Sequence, residues 1–164
     1  MNKKYILTAE KAHMKLRRIA FQILERNTHL NSLHIAGIKE NGYLLALELK
    51  KILEEISSFK IELSSIELDK SNPIDCKLDA SVDYQNKNVL IVDDVVNSGK
   101  AMLHAIHPIL ALSPHQIQTA TLVERSYKTY PVHVDYVGVS LATTLEDHIS
   151  VIFKDGILQG AYLA

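Results

Sequence analysis

The chain has 164 residues, 47% of them hydrophobic and 23% charged, with a formal net charge of −1. These ordinary globular proportions fit one domain over residues 1–164, and the near-neutral balance excludes a chain built mainly to coat nucleic acid. A single cysteine, Cys76, excludes an internal disulfide, and the lack of a secretory leader or a membrane-length apolar run sets the expectation of a soluble, cytoplasmic protein.

Residues 8–28 have helical spacing, with Leu16, Ile19, Ala20, Ile23 and Leu24 on one face and Thr8 as the N-cap. Positive charge collects at this end: Lys3, Lys4, Lys11, Lys15, Arg17, Arg18 and Arg26 stand against Glu10 and Glu25. A solvated helix face accounts for that excess, and an RNA or anion surface is the alternative. Leu33–Gly37 is a short strand, followed by a polar turn over Lys39-Glu40-Asn41-Gly42 and a helix from about Tyr43 to Ser57 that buries Leu45, Leu49, Ile52, Leu53 and Ile56. Lys60–Leu68 alternates as a strand, with a phase slip at Ser64-Ser65 that suggests a bulge. Asp69–Lys87 is the least apolar stretch and reads as a long functional loop.

The strand Val89–Asp93 comes next, then a helix from about Gly99 to Leu112 that Pro108 should kink or end. Gln116–Val123, Val132–Val139 and Ser150–Phe153 are further strands, and Asp155-Gly156 marks a hairpin into Ile157–Leu163. Alternating strands and helices imply an α/β fold with a mainly parallel sheet flanked by helices on both faces. Ligands of such sheets bind at the carboxyl ends of the strands.

The run Val89-Leu90-Ile91-Val92-Asp93-Asp94-Val95-Val96-Asn97-Ser98-Gly99-Lys100 carries the chemistry. A buried strand delivers two adjacent carboxylates, and a short polar loop with a glycine opens a helix whose N-terminus favours an anion. Such a pairing suits a ligand with hydroxyls or Mg²⁺ at one end and a phosphate at the other. A Walker-type nucleotide site is not supported, because Asp94 stands where its first glycine belongs and Ala101 where Ser or Thr should follow Gly99-Lys100. His104 and His107 lack a third ligand for a metal, and Ser98 lacks the G-x-S-x-G elbow of a hydrolase. Tyr127 and Tyr130 could stack on a base or simply pack.

Val89–Ala101 resembles the signature of type I phosphoribosyltransferases. Leu16–Ala20 with Ile23–Glu25, the Gly37–Gly42 turn, and Leu122–Arg125 through Pro131 and Asp135–Gly138 resemble the pyrimidine-operon regulator and uracil phosphoribosyltransferase branch. The resemblance implies the type I phosphoribosyltransferase fold, with a small hood formed by the chain-terminal segments, and homodimerisation. It implies Mg²⁺-dependent transfer of ribose 5-phosphate from phosphoribosyl pyrophosphate to a nucleobase, with a pyrimidine such as uracil as the expected kind of acceptor. Asp93 and Asp94 would hold the ribose hydroxyls directly or through Mg²⁺, and Val95, Val96, Asn97, Ser98, Gly99, Lys100 and Ala101 would surround the 5-phosphate. Gly37, Ile38, Asn41 and Gly42 would hold the pyrophosphate with Lys39 as its cation, and Val123, Glu124 and Arg125 would face the base.

The chain also departs from that branch. Asn41 replaces the Arg before the glycine of the pyrophosphate turn, and Ser98-Gly99-Lys100-Ala101 replaces Thr-Gly-Arg-Thr. Leu68-Asp69-Lys70-Ser71-Asn72 lacks the Arg that opens the mobile loop, and Arg125-Ser126-Tyr127-Lys128 replaces Arg-Gly-His-Arg. Positive charge is thinned at three ligand-facing places. The alternative is therefore a non-catalytic nucleotide-sensing or RNA-binding regulator that keeps the ribose-phosphate pocket.

Overall fold

In the computed structural model, residues 4–69, 75–143 and 147–163 are described. Lys70, Ser71, Asn72 and Pro73 of the expected mobile loop lie outside them. A six-stranded sheet forms the centre, built from β2 (Ser32–Ile38), β3 (Lys60–Glu67), β4 (Lys77–Leu78), β5 (Asn88–Val96), β6 (Gln116–Arg125) and β7 (Tyr136–Leu141). Its order is β4-β3-β2-β5-β6-β7, parallel throughout except for the antiparallel β3–β4 pair. Helices α1 (Ala9–Arg26) and α2 (Asn41–Ile56) cover one face, and α3 (Lys100–Leu110) covers the other. A second sheet, β1-β9-β8, joins β1 (Lys4–Thr8) to the hairpin of β8 (Ile149–Lys154) and β9 (Ile157–Leu163) and forms the hood.

Local chemistry explains most boundaries. Thr8 caps α1, its hydroxyl accepting from the Lys11 amide at 3.4 Å, and Leu16, Ile19, Ala20 and Ile23 are buried on one face. Asp155 and Gly156 both take positive φ, 52° and 76°, as a two-residue hairpin turn requires. Pro108 removes a helical amide, and α3 ends two residues later at Leu110. The cations of α1 are partly used within the fold. Arg18 donates to the Val137 and Gly138 carbonyls, Arg26 pairs with Asp135 and lies over the Tyr136 ring, and Arg17 lies over Phe21.

Five expectations need correction. β3 runs in continuous register with β2 from Ser32↔Lys60 to Ile38↔Ile66, so there is no bulge at Ser64-Ser65. The slip instead marks a change of face: Ile61 and Leu63 pack toward α1 and α2, while Ile66 and Leu68 pack toward α3. β5 continues past Asp93 to Val96, because β6 keeps pairing with it through Val96↔Glu124. α2 begins at Asn41 rather than Tyr43. β7 starts at Tyr136 rather than Val132, because the Asp135 carboxylate accepts from the Thr119 amide at 3.0 Å and so takes the place of a ladder bond. The loop after β3 contains β4, two residues paired to Ile66 and Glu67.

A buried polar cluster fastens this loop to the sheet. His34 Nε2 and Ser64 Oγ hydrogen-bond at 2.7 Å, Ser64 Oγ and Tyr84 Oη at 2.9 Å, and Lys87 Nζ donates to Glu62 beside the imidazole. Burial holds the His34 pKa below its usual 6.5, and the hydrogen bond from Lys87 brings Glu62 down to about 2. Both shifts have the same sign for stability. Below pH 6.5 the unfolded chain binds a proton that folded His34 refuses, and below 4.5 it protonates a Glu62 that stays ionised when folded. Stability is therefore present at neutral pH and falls as pH drops through each window. Urea midpoints measured from pH 8 to 5 should fall more steeply in the parent than in His34→Gln; equal slopes would contradict the assignment.

Candidate functional site

The chain order reverses direction between β2 and β5: β2 leads outward to β3 and β4, and the chain then returns to place β5 on the other side. β2 pairs with β5 only from His34↔Val89 to Gly37↔Val92, so beyond Val92 a crevice opens between their carboxyl ends. The first turn of α2 lies over this crevice. A Cβ on Gly42 would come within 2.8 Å of the Val92 carbonyl oxygen and 3.0 Å of Asp93, and a Cβ on Gly37 within 2.6 Å of the Tyr43 Cα. Both positions need glycine because helix and strand backbones nearly touch there.

Asp93 and Asp94 leave β5 at this point, exposed by only 1% and 5%. Asp93 Oδ1 accepts from the Asp94 amide at 3.0 Å, and Asp94 Oδ2 accepts from Asn41 Nδ2 at 3.2 Å. The following loop turns into α3 through Gly99, whose φ of 85° is left-handed. Ser98 Oγ accepts from the Lys100 amide at 3.3 Å, and the Ser98 carbonyl accepts from the Tyr130 amide at 2.9 Å. The first turn of α3 contains no acidic residue. The amide-rich end of α3 thus faces the same space as the two carboxylates.

That space is a cleft of about 700 Å³. One wall is Asp93 through Met102 with Asn41, and the other is Asp147, His148, Ile149, Ser150 and Val151 at the hood, with Arg125, Tyr127 and Thr129 between them. Arg125 is 4% exposed; its Nε donates to Asn97 Oδ1 at 2.8 Å and Nη2 to the Asp147 carbonyl at 2.8 Å. It therefore ties the phosphate-type loop to the approach to the hood. Tyr127 is 80% exposed and borders the cleft.

The expected site residues divide in two. Asp93, Asp94, Val95, Val96, Asn97, Ser98, Gly99, Lys100, Ala101, Asn41 and Arg125 line the cleft together. Val123 is instead fully buried in the core, and Glu124 accepts from Lys128 Nζ at 2.8 Å and from Ser140 Oγ at 3.1 Å. Gly37 is buried against α2, and Ile38 is buried on the opposite face of the sheet, in the core beside α3. Lys39, joined to Glu40 by a cis peptide, borders a second depression with Glu67, Asp69, Asp75 and Lys77. Its ammonium is paired with Glu67, a contact that raises the Lys39 pKa and lowers that of Glu67. The hood residues Asp147–Val151 were not anticipated. The Asp155-Gly156 signal placed a hairpin after them but could not say which strand end it leans over.

Comparison with known proteins gives a consistent result. Residues 3–154 match the phosphoribosyl transferase domain family. The chain is 31% identical over 157 residues to the bifunctional protein PyrR of Streptococcus mutans, covering 92% of this chain and 89% of that protein. It is 34% identical over 152 residues to the PyrR of Clostridium perfringens, covering 85% and 84% respectively. Among solved structures, the hypoxanthine phosphoribosyltransferase of Trypanosoma cruzi superposes with a TM-score of 0.81 at 17% identity, covering 98% of this chain and 95% of that one. A hypoxanthine-guanine phosphoribosyltransferase from Bacillus anthracis gives 0.73 at 19% identity, covering 86% and 84%. These structures share the fold: a central, mostly parallel sheet flanked by helices.

The loop before α3 makes a separable prediction. A Cβ at Gly99 would lie 2.5 Å from Val132 Cγ1 and would also occupy a left-handed backbone. Gly99→Ala should cost roughly 1–3 kcal/mol in denaturant unfolding. Adding Val132→Ala should recover the steric part but not the backbone part. Full recovery, or no loss in the single variant, would contradict the geometry.

Proposed function

The chain belongs to the phosphoribosyl transferase domain family, on the branch that includes the PyrR proteins, and from that premise we propose that its cleft binds phosphoribosyl pyrophosphate and transfers ribose 5-phosphate to a nucleobase, with a pyrimidine such as uracil as acceptor. The observation that carries the proposal is the sharing of one cleft by two buried adjacent carboxylates and a left-handed glycine turn into a helix N-terminus. The carboxylates suit vicinal hydroxyls, and the helix end suits a phosphate one sugar away.

In this reading Asp93 and Asp94 accept hydrogen bonds from the 2- and 3-hydroxyls. The amides opening α3 and the Ser98 hydroxyl hold the 5-phosphate. C1 of the sugar then faces the remaining space of the cleft, where the exposed Tyr127 ring between the two walls offers a flat surface to a base. The bond from C1 to a pyrophosphate oxygen breaks as a ring nitrogen of the base bonds to C1, and the proton of that nitrogen passes to the departing pyrophosphate or to water. Positive charge develops on the sugar ring in the transition state, and the two pre-placed carboxylates stabilise it without reorganising. The two carboxylates, which line the cleft together, also fit Mg²⁺, which is commonly held by one or two carboxylates with substrate oxygens and water. When bound, it would neutralise charge on the leaving pyrophosphate.

A second reading, a nucleotide-sensing or RNA-binding regulator with the pocket but without turnover, is favoured by the cations. Lys39 is paired with Glu67 outside the cleft, and Asn41 supplies no charge where the branch carries Arg.

Thermal unfolding with millimolar phosphoribosyl pyrophosphate and Mg²⁺ should show an upward shift of Tm. Asp94→Asn should weaken binding about 10- to 100-fold, as expected for losing a charged hydrogen-bond acceptor. No shift in the folded parent would overturn the reading. Pyrophosphate release assayed with uracil, orotate, hypoxanthine and xanthine separates the two readings: turnover with any of them removes the sensor-only alternative.

A further inference from the structure

Asn41 stands at the meeting point of three elements. It is the first residue of α2, its side chain touches the acid pair on β5, and it reaches the hood. Its amide nitrogen donates to Asp94 Oδ2 at 3.2 Å and to the Val151 carbonyl of β8 at 3.1 Å. A primary amide has two hydrogens on that nitrogen, so both are in use, one on each side of the cleft. Among the described residues β8 is the edge of the hood sheet, in the order β1-β9-β8, and pairs only with β9. The Val151 carbonyl thus receives from Asn41 a hydrogen bond that a neighbouring strand would otherwise supply.

We propose that Asn41 is a positioning residue that couples the Asp94 carboxylate to hood strand β8, so that occupation of the acid pair and docking of the hood are linked. The proposal rests on the reading of the cleft as a ribose-phosphate site. A residue at this position must donate to a carboxylate and a carbonyl at once, and within the reach of a two-carbon side chain an amide does so. A carboxylate there would repel both oxygens, and Ala would leave both without this donor. Gly42, the next residue, explains why so short a side chain suffices: the backbone of α2 lies almost against Val92 and Asp93. When a ribose hydroxyl takes up Asp94, the carboxylate is held more firmly, and Asn41 carries that restraint to Val151. Linkage makes the effect reciprocal: a restrained hood favours the arrangement of Asp94 that receives the sugar.

Amide hydrogen exchange tests the coupling in the full-length protein, with ribose 5-phosphate as a probe that carries no base to contact the hood. In the ligand-free state, Asn41→Ala should exchange about 3- to 10-fold faster than the parent over Ile149–Lys154, with Asn88–Val92 unchanged as the internal sign that the sheet is intact. Asn41→Asp should exchange faster still over the same strand. In the parent, ribose 5-phosphate should slow exchange both at Asn97–Met102 and in β8. In Asn41→Ala it should still slow Asn97–Met102 but no longer β8. Unchanged β8 exchange in the ligand-free variants, or persistent β8 protection by ribose 5-phosphate in Asn41→Ala, would overturn the proposal. Lack of protection at Asn97–Met102 in the parent would instead overturn the ribose-phosphate reading, while the ligand-free comparison would still decide whether Asn41 restrains the hood.

Discussion

The cleft depends on how closely α2 lies on the carboxyl ends of β2 and β5. Gly37 and Gly42 remove the two side chains that would hold the helix away, leaving the Val92 carbonyl and the Asp93 backbone almost in contact with the helix. That approach places Asn41 within hydrogen-bonding reach of Asp94 and of the hood at once. Any added bulk at Gly42 would push against Asp93 itself, so the packing of the helix and the placement of the acid pair are one constraint. The resemblance gave these glycines a part in holding pyrophosphate, and the close packing is a second demand on the same two positions.

Electrostatically the cleft is uneven. Two nearly buried carboxylates line it, and the amides opening α3 face the same space. Arg125 adds a buried positive charge and donates to oxygens of Asn97, Thr143 and Asp147, so it braces the walls as well as charging them. Lys39, the cation expected beside pyrophosphate, is engaged with Glu67 in a separate depression. In the proposed reading the arrangement serves ribose and its 5-phosphate better than the leaving group, and bound Mg²⁺ would redress that imbalance.

Much of this was legible in the sequence, and the misses have identifiable causes. The helices showed their 3.6-residue period, and β2 and β5 read as apolar runs because both faces of a parallel sheet are covered. The Asp93-Asp94 pair and the Asn-Ser-Gly turn pointed to the candidate site because acidic groups and a helix-opening loop adjoin in the sequence, and both line the one cleft. β1 and β4 escaped notice because strands of five and two residues exist only through pairing with distant segments, β9 and β3. The β3 slip looked like a bulge because one-sided alternation was assumed for a strand covered on both sides. Val123 and Glu124 were placed at the base by the resemblance, yet one side chain enters the core and the other pairs with Lys128. The hood wall, Asp147–Val151, is a tertiary juxtaposition that no local pattern encodes.

The central claim is that the acid pair and the loop opening α3 together hold a ribose phosphate. Titrating the ¹⁵N-labelled protein with phosphoribosyl pyrophosphate and Mg²⁺, and following the backbone amide resonances, tests it most directly. The account predicts the largest saturable shifts at Asp93, Asp94 and Asn97–Met102. Shifts centred on Lys39, Glu67 and Lys77, or none at millimolar ligand, would contradict it.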